Sequence, residues 1–165
     1  MMACFVNANA KGTYRGFFDA GPSITNGFSL DITTTHGYQF NQNWFLGAGT
    51  GLINIIESYN NNFDTGLSLP IFAKVRFDNL SEKDLTWFTE ANIGCAIVED
   101  DFPLYLSFLT GLRKRLTERL GLNFGLGFSL VPGEEDYSGY SSYSYYYYSE
   151  PVSVFKLNIK VGIDF

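Results

Sequence analysis

The segment VSVFKLNIKVGIDF, residues 152–165, carries the clearest pattern in the sequence. From Phe155 to Phe165 every second residue is large and apolar, and the residues between them are polar, charged or glycine. Successive side chains of a β-strand point to opposite faces, so this period of two predicts a strand with one apolar and one polar face.

The same alternation recurs through most of the chain. It is clear in segments 28–40, 67–77, 85–98 and 120–130, and weaker in runs 13–20, 44–56 and 103–114. No segment has a convincing helical period. Together with 152–165, these runs predict eight strands and an all-β fold.

The breaks between the runs indicate how the strands are connected. Short or charged turns are expected at 41–43, 78–84 and 115–119. The other connections are expected at 21–27, 58–64, 99–102 and 132–151, of which the last is the one long loop. Consecutive strands joined by hairpins form an antiparallel up-and-down meander. Eight such strands are expected to close into a barrel, because closure removes the unpaired edges.

A period of two does not say which face points inward, because a soluble lipocalin-like barrel that binds a small apolar ligand has the same alternation. The interior of an eight-stranded barrel is narrow, and the non-apolar face is rich in glycine, at Gly47, Gly49, Gly51, Gly121, Gly125 and Gly127. Small residues suit the crowded inside. We therefore predict a transmembrane β-barrel with its apolar face toward lipid, and keep the soluble carrier as the alternative.

Charged residues on the small face then point into the lumen, where burial requires them to be paired. Both signs are present, and Asp19 and Asp164 are further acidic candidates on this face. The predicted lumen network consists of Arg15, Asp31, Lys74, Arg76, Glu90, Arg113, Lys156 and Lys160. A closed polar lumen follows, which disfavours a pore.

Aromatic residues of the apolar face gather beside the short turns and at position 165. Membrane barrels place such residues in girdles at the water interface. The predicted interface girdle is Tyr38, Phe40, Trp44, Phe77, Trp87 and Phe165.

With these features the chain resembles the small eight-stranded outer-membrane β-barrel proteins of Gram-negative bacteria. The resemblance covers residues 12–165. It implies location in the outer membrane, contact with its lipid and lipopolysaccharide, and an insertion signal for the barrel-insertion machinery at Ile159, Val161, Ile163 and Phe165. Such proteins include adhesins, surface-protection proteins, anchors, narrow pores and a few lipid-modifying enzymes, and no residue here selects among these roles.

With 165 residues, the chain is expected to form one barrel domain at 12–165. Residues 1–11 are expected to be a leader remnant or a disordered N-terminus. Ala8-Asn9-Ala10 resembles a signal-peptide cleavage pattern, although a basic segment and a full apolar core are absent.

The connections on the side of the long loop are acidic and rich in tyrosine. Seven of the eleven tyrosines lie in 137–148, and Tyr with Ser is typical of binding surfaces. A surface-recognition or adhesive loop is one hypothesis, and an extension of the adjoining strands is the other. The candidate binding residues are Tyr140, Tyr143, Tyr145, Tyr146, Tyr147 and Tyr148.

The acidic triplets 99–101 and 134–136 are most simply a solvated rim, although a hard divalent cation is a sharper hypothesis. A net charge of −6 argues against nucleic-acid binding. His36, the one histidine, falls on the outward face, so a histidine-based catalytic site is disfavoured. We expect no enzyme activity, no cofactor and no assigned metal, and a structural or surface-interaction role with an extracellular partner.

Overall fold

The computed structural model describes residues 12–24, 28–59, 62–79, 84–98, 102–117, 119–141 and 144–165, with side chains described outside 55–66 and 132–154. No helix in these ranges is long and apolar enough to cross a membrane. The chain forms eight strands: β1 Thr13–Ile24, β2 Phe28–Gln39, β3 Trp44–Tyr59, β4 Asn62–Asn79, β5 Leu85–Ile97, β6 Leu104–Arg115, β7 Gly121–Ser141 and β8 Ser144–Asp164.

The strands close into a single barrel in chain order. Each strand pairs antiparallel with the next, and β8 pairs with β1. The predicted eight-stranded meander is therefore confirmed. The order follows from the short connections, since consecutive antiparallel strands pair most simply with each other.

Strands extend at least two residues into four of the predicted connections, whose predicted bounds are therefore wrong. β1 runs to Ile24, four residues into the connection expected at 21–27. β4 runs to Asn79, so Asp78 lies within a strand rather than in the turn 78–84. β3 and β4 remain paired as far as Tyr59 and Asn62, which makes most of 58–64 strand. β7 and β8 remain paired to Ser141 and Ser144, so the described residues of 132–151 are strand instead of a long loop, while 142–143 lie outside the described residues. Gly, Pro and Ser in these stretches suggested loops, but ladder pairing and the high β-propensity of tyrosine outweigh that composition.

Inward-facing glycines make room for the large residues of the interior. A Cβ atom at Gly47 would lie 2.6 Å from the ring of Phe45, and one at Gly49 would lie 2.6 Å from the ring of Phe72. These approaches are closer than carbon atoms allow. Glycine at these positions thus lets aromatic rings fill a narrow barrel.

The barrel closes where β1 meets the end of the chain. Gly16 N donates to the carbonyl of Phe165 at 2.8 Å, and Phe165 N donates to the carbonyl of Gly16 at 3.0 Å. On the outer surface the Phe165 ring covers Gly16, where an added Cβ would lie 2.6 Å from it. The Phe165 ring therefore packs on a position that only glycine, which has no Cβ atom, can occupy without a clash.

We expect Gly16→Val to lower the free energy of unfolding by about 1–3 kcal/mol, because overpacking displaces the Phe165 ring. Denaturant unfolding of the protein refolded into lipid vesicles measures this. In a Phe165→Ala background the same substitution is expected to cost much less, since the ring is gone. An equal cost in both backgrounds would show that the ring contact is not the cause.

Candidate functional site

The surfaces of this barrel are reversed relative to a soluble protein. Among the described residues, 31 large apolar side chains are exposed, whereas 22 polar or charged side chains are buried. Exposed apolar area on this scale marks a surface that contacts another apolar phase. A lipocalin-like carrier needs its apolar face inside, so the structure does not support that alternative.

The predicted girdle residues lie near the end of the barrel that carries the short turns. Tyr38, Phe40, Trp44, Trp87 and Phe165 are exposed on the outside, and Phe77 is half-buried. The Phe77 ring packs between two tryptophans, with centroids 5.0 Å from Trp44 and 5.6 Å from Trp87. Three neighbouring strands thus share one continuous aromatic surface.

His36 is on the outer surface, as its position in the alternation indicated. Its Nδ1 lies 2.6 Å from the Tyr14 hydroxyl and its Nε2 lies 3.1 Å from the Thr34 hydroxyl. The ring also meets Phe165 edge-on at 6.4 Å. Both ring nitrogens therefore have hydrogen-bond partners on an otherwise apolar surface.

Inside the barrel, charges form one continuous chain of ion pairs near the end with the short turns. Arg113 contacts Asp164 at 2.7 Å, Asp164 contacts Arg15 at 3.0 Å, and Arg15 contacts Asp78 at 2.5 Å. The chain continues through Arg76, which contacts Asp78 at 2.9 Å and Glu90 at 3.3 Å.

Lys74 ends the chain by contacting Glu90 and Asp19, both at 3.1 Å. Four cations and four carboxylates thus alternate without net charge. They lie on β1, β4, β5, β6 and β8. Because each charge has at least one opposite neighbour, burial is tolerated, and the chain links strands that are distant in sequence.

Aromatic rings pack directly against these cations. The Phe17 ring centroid lies 4.7 Å from the Arg15 guanidinium and 4.8 Å from that of Arg76, and Phe45 packs edge-on against it at 4.8 Å. The Phe88 ring lies 3.7 Å from the Arg76 guanidinium. Such contacts favour a desolvated cation and fill the lumen at this level.

The remaining predicted network residues are buried at a separate place. Lys160 lies 3.9 Å from Asp31, and Asp31 also accepts a hydrogen bond from Ser23 at 3.1 Å. Lys156 donates to the Ser29 hydroxyl at 2.8 Å. The structure therefore brings five of the eight predicted residues into the ion-pair chain and places the other three apart from it.

The interior is not polar throughout, and the predicted polar lumen is wrong for one part of it. A buried cluster contains two aromatic rings, Phe72 and Tyr105, whose centroids are 5.5 Å apart. The full cluster is Ile53, Phe72, Ala96, Tyr105 and Val131. At this level the interior is packed by apolar side chains rather than by ion pairs.

Sequence reasoning missed two kinds of interior residue. Asp78 was placed in a turn, although it shares its parity with Lys74 and Arg76, and that parity was the available signal. Phe17, Phe45 and Tyr105 lie in the weaker runs, where both faces are apolar and the alternation is blurred, whereas Phe72 and Phe88 are inward exceptions in clear runs.

β7 and β8 form a hairpin that extends beyond its neighbours. β6 pairs with β7 only as far as Leu130, and β1 pairs with β8 only as far as Leu157. The hairpin continues for eleven further pairs, from Val131–Val154 to Ser141–Ser144. At about 3.3 Å per residue this extension is about 36 Å long.

The tyrosines proposed for binding lie on this extension. Tyr140 pairs with Tyr145, and Tyr146 to Tyr148 follow on β8. Their backbone is strand, as the alternative of extended strands expected, while Tyr143 lies outside the described residues. The acidic residues 99–101 are also outside them. In the described part of the chain, no group of three or more metal-binding side chains is placed to hold an ion.

Comparison with solved structures shows what kind of fold this is. Neisserial surface protein A matches with a TM-score of 0.60 and 10% identity, over 94% of this chain and 98% of that chain. The outer membrane protein AlkL matches with a TM-score of 0.54 and 13% identity, over 100% and 96%. No protein-family model and no curated protein sequence matches the chain.

A de novo designed transmembrane β-barrel matches equally well, with a TM-score of 0.59 and 14% identity over 96% of this chain and 98% of that chain. Natural and designed barrels therefore share this architecture, and the likeness shows the fold alone. The predicted resemblance is confirmed at that level. The chain has the fold of the small eight-stranded outer-membrane β-barrels.

Proposed function

We propose that this chain is an integral protein of the outer membrane of a Gram-negative bacterium, with a structural or surface-interaction role. The observation that carries the proposal is the distribution of side chains in the barrel, with apolar residues exposed outside and ion-paired charges buried inside. A lipid environment makes that arrangement favourable, because hydrocarbon accepts the apolar wall and closure satisfies the backbone. In this proposal lipid and lipopolysaccharide surround the wall.

The proposed insertion signal has a suitable surface for recognition by the barrel-insertion machinery. Val161, Ile163 and Phe165 are exposed on the outer face of β8, and Ile159 is half-buried on the same face. Four apolar residues at two-residue steps thus form one stripe at the end of the chain. Because the stripe lies on one face of a single strand, the insertion machinery can bind it before the barrel closes.

The projecting hairpin supports the surface-interaction role. It carries seven tyrosines among serines, a composition that provides rigid contact area and adaptable hydrogen bonding. Its acidic residues place it on the watery side of the membrane, which we assign to the cell exterior. We propose that an extracellular protein or surface binds there in an adhesion-like interaction.

The proposal includes no catalytic activity, no cofactor and no pore. The described interior is filled by the ion-pair chain and by the apolar cluster around Phe72 and Tyr105. An eight-stranded barrel has little lumen to spare.

Shortening the hairpin is expected to abolish surface binding while the barrel stays folded. Asp136 and Ser149 are directly paired, so residues 137–148 can be replaced by Asn-Gly, which suits a two-residue hairpin turn. The measurement is adhesion of Gram-negative cells that produce each variant to immobilised extracellular proteins and glycans.

A matched control replaces the seven tyrosines of 137–148 by threonine, which keeps β-propensity and length but removes the rings. If the tyrosines bind, this variant also loses adhesion. Both variants should remain in the outer-membrane fraction and should migrate differently on gels before and after boiling. Full adhesion by the shortened variant would count against the hairpin as the binding surface.

A further inference from the structure

We propose that a basic turn between β6 and β7 binds the phosphate groups of anionic phospholipids in the leaflet that the short turns face. The basic turn consists of Lys114, Arg115 and Arg119. This inference rests on the membrane location proposed above. It adds a lipid class and a binding site that the fold alone does not supply.

The distribution of charge on the outer wall points to this turn. On the strands, among residues with described side chains, every charged side chain is buried except Lys114 and Arg115 at the end of β6. Arg119, in the turn that follows, is exposed as well. Among the strand residues with described side chains, the exposed charges are therefore both positive and both at the end of β6.

Lys114 is surrounded by apolar residues that face outward. It is paired with Leu85 on β5 and with Leu122 on β7, and both leucines are exposed. Leu112 and Leu116, two residues away on either side, are exposed too. A lysine in such a setting lays its aliphatic stem along the apolar surface and directs its ammonium group to the interface, which is the depth of lipid phosphates.

Thr117 gives the turn a defined shape. Its hydroxyl accepts hydrogen bonds from Leu120 N at 3.0 Å and from Arg119 N at 3.3 Å. Leu116 N donates to the carbonyl of Leu120 at 2.9 Å, and Arg115 N donates to the carbonyl of Asp84 at 2.7 Å. The backbone that carries the three cations is therefore held in place before any ligand binds.

The cations of the turn outnumber the carboxylates beside it in the sequence. The ion pairs among the described residues do not include Lys114, Arg115 or Arg119. Asp84 is exposed nearby, and Glu118 in the same turn lies outside the described residues. In the sequence the three cations stand against two carboxylates, Asp84 and Glu118, which leaves one net positive charge, whereas the turn 41–43 has no charged residue.

A phosphate group of a lipid is the ligand that this surface fits. Arginine binds phosphate through paired N–H groups, and the surrounding leucines and the nearby Trp87 provide the contact for acyl chains. Zwitterionic lipids offer the same phosphate with an attached cation, so the basic turn is expected to prefer anionic headgroups. Each cation close to an anionic surface contributes about 1 kcal/mol in general, or about fivefold in binding.

Trp87 can report lipid binding directly. It is exposed, and it is paired with Leu112, two residues from Lys114 on the same outer face. In a Trp44→Phe background it becomes the one tryptophan of the chain. Its fluorescence is measured in two kinds of vesicle. One contains acyl-brominated phosphatidylglycerol mixed with ordinary phosphatidylcholine, and the other contains acyl-brominated phosphatidylcholine mixed with ordinary phosphatidylglycerol. Comparing the quenching in the two gives the relative binding constant of the two lipids.

We expect phosphatidylglycerol to be preferred at Trp87 by about fivefold or more, the contribution of at least one cation near an anionic surface. The triple variant Lys114→Gln, Arg115→Gln and Arg119→Gln should lower the ratio to about one. The control Asp84→Asn, which removes a negative charge from the same region, should leave the preference in place or increase it. Millimolar inorganic phosphate should not change it, since the ligand is a lipid.

Several results would overturn the inference. A ratio near one in the parent protein, with quenching by both lipids, would refute the lipid preference and leave the membrane location standing. An unchanged ratio in the triple variant would assign the preference to other residues, and loss of it in phosphate would indicate a site for the free anion. Absence of quenching by either lipid would contradict the membrane location itself.

Discussion

We expect Arg76→Met to lower the free energy of unfolding by about 3–5 kcal/mol, the usual cost of removing one partner from a buried ion pair. Arg76 is fully buried and joins the two halves of the ion-pair chain through Asp78 and Glu90. It also donates to Asn123 at 2.7 Å. Its loss leaves two carboxylates with fewer cations in a place that water does not reach.

A double variant separates charge imbalance from lost packing. Arg76→Met combined with Asp78→Asn removes one charge of each sign, so the interior is neutral again. We expect the pair to cost clearly less than the sum of the two single variants. Denaturant unfolding in lipid vesicles, followed by tryptophan fluorescence, measures all three. A cost below about 1 kcal/mol for Arg76→Met would show that the interior solvates its charges in another way.

The alternation of side chains was enough to predict which charges face the lumen. Lys74 and Arg76 lie two residues apart and therefore share a face, and the structure buries both. What alternation does not provide is the partner of each charge. Asp164 contacts Arg15, which is 149 residues away in sequence, and that contact depends on the register between β8 and β1.

Interior aromatics and the long hairpin were harder to predict, for physical reasons. Phe17 and Phe45 are inward residues in strands with apolar residues on both faces, and the space for the Phe45 ring depends on Gly47 of the same strand. The stretch 132–151 contains residues typical of loops, and only its pairing with its own other half makes it a strand. The strand structure of this stretch therefore depends on contacts between segments rather than on local composition.

The outer wall yields the second large effect, because the same substitution is nearly neutral in water but strongly destabilising in lipid. Leu126 is exposed, and it lies in the middle of the part of β7 that is paired with both neighbours, opposite Thr110 on β6 and Ile159 on β8. In water, Leu126→Arg would change stability by no more than about 0.5 kcal/mol. At the centre of a bilayer an arginine on the lipid face costs about 2–4 kcal/mol.

We therefore expect Leu126→Arg to destabilise the protein in vesicles by about 2–4 kcal/mol, and Leu85→Arg, at the first residue of β5 beside the short turns, by about 0–1 kcal/mol. Both leucines are exposed, so depth in the membrane is the property that differs. Equilibrium unfolding from vesicles compares the two variants with the parent protein. Equal and small effects would mean that the wall is not surrounded by hydrocarbon, whereas the expected difference would locate the middle of β7 at the bilayer centre and the turn end of β5 at its surface.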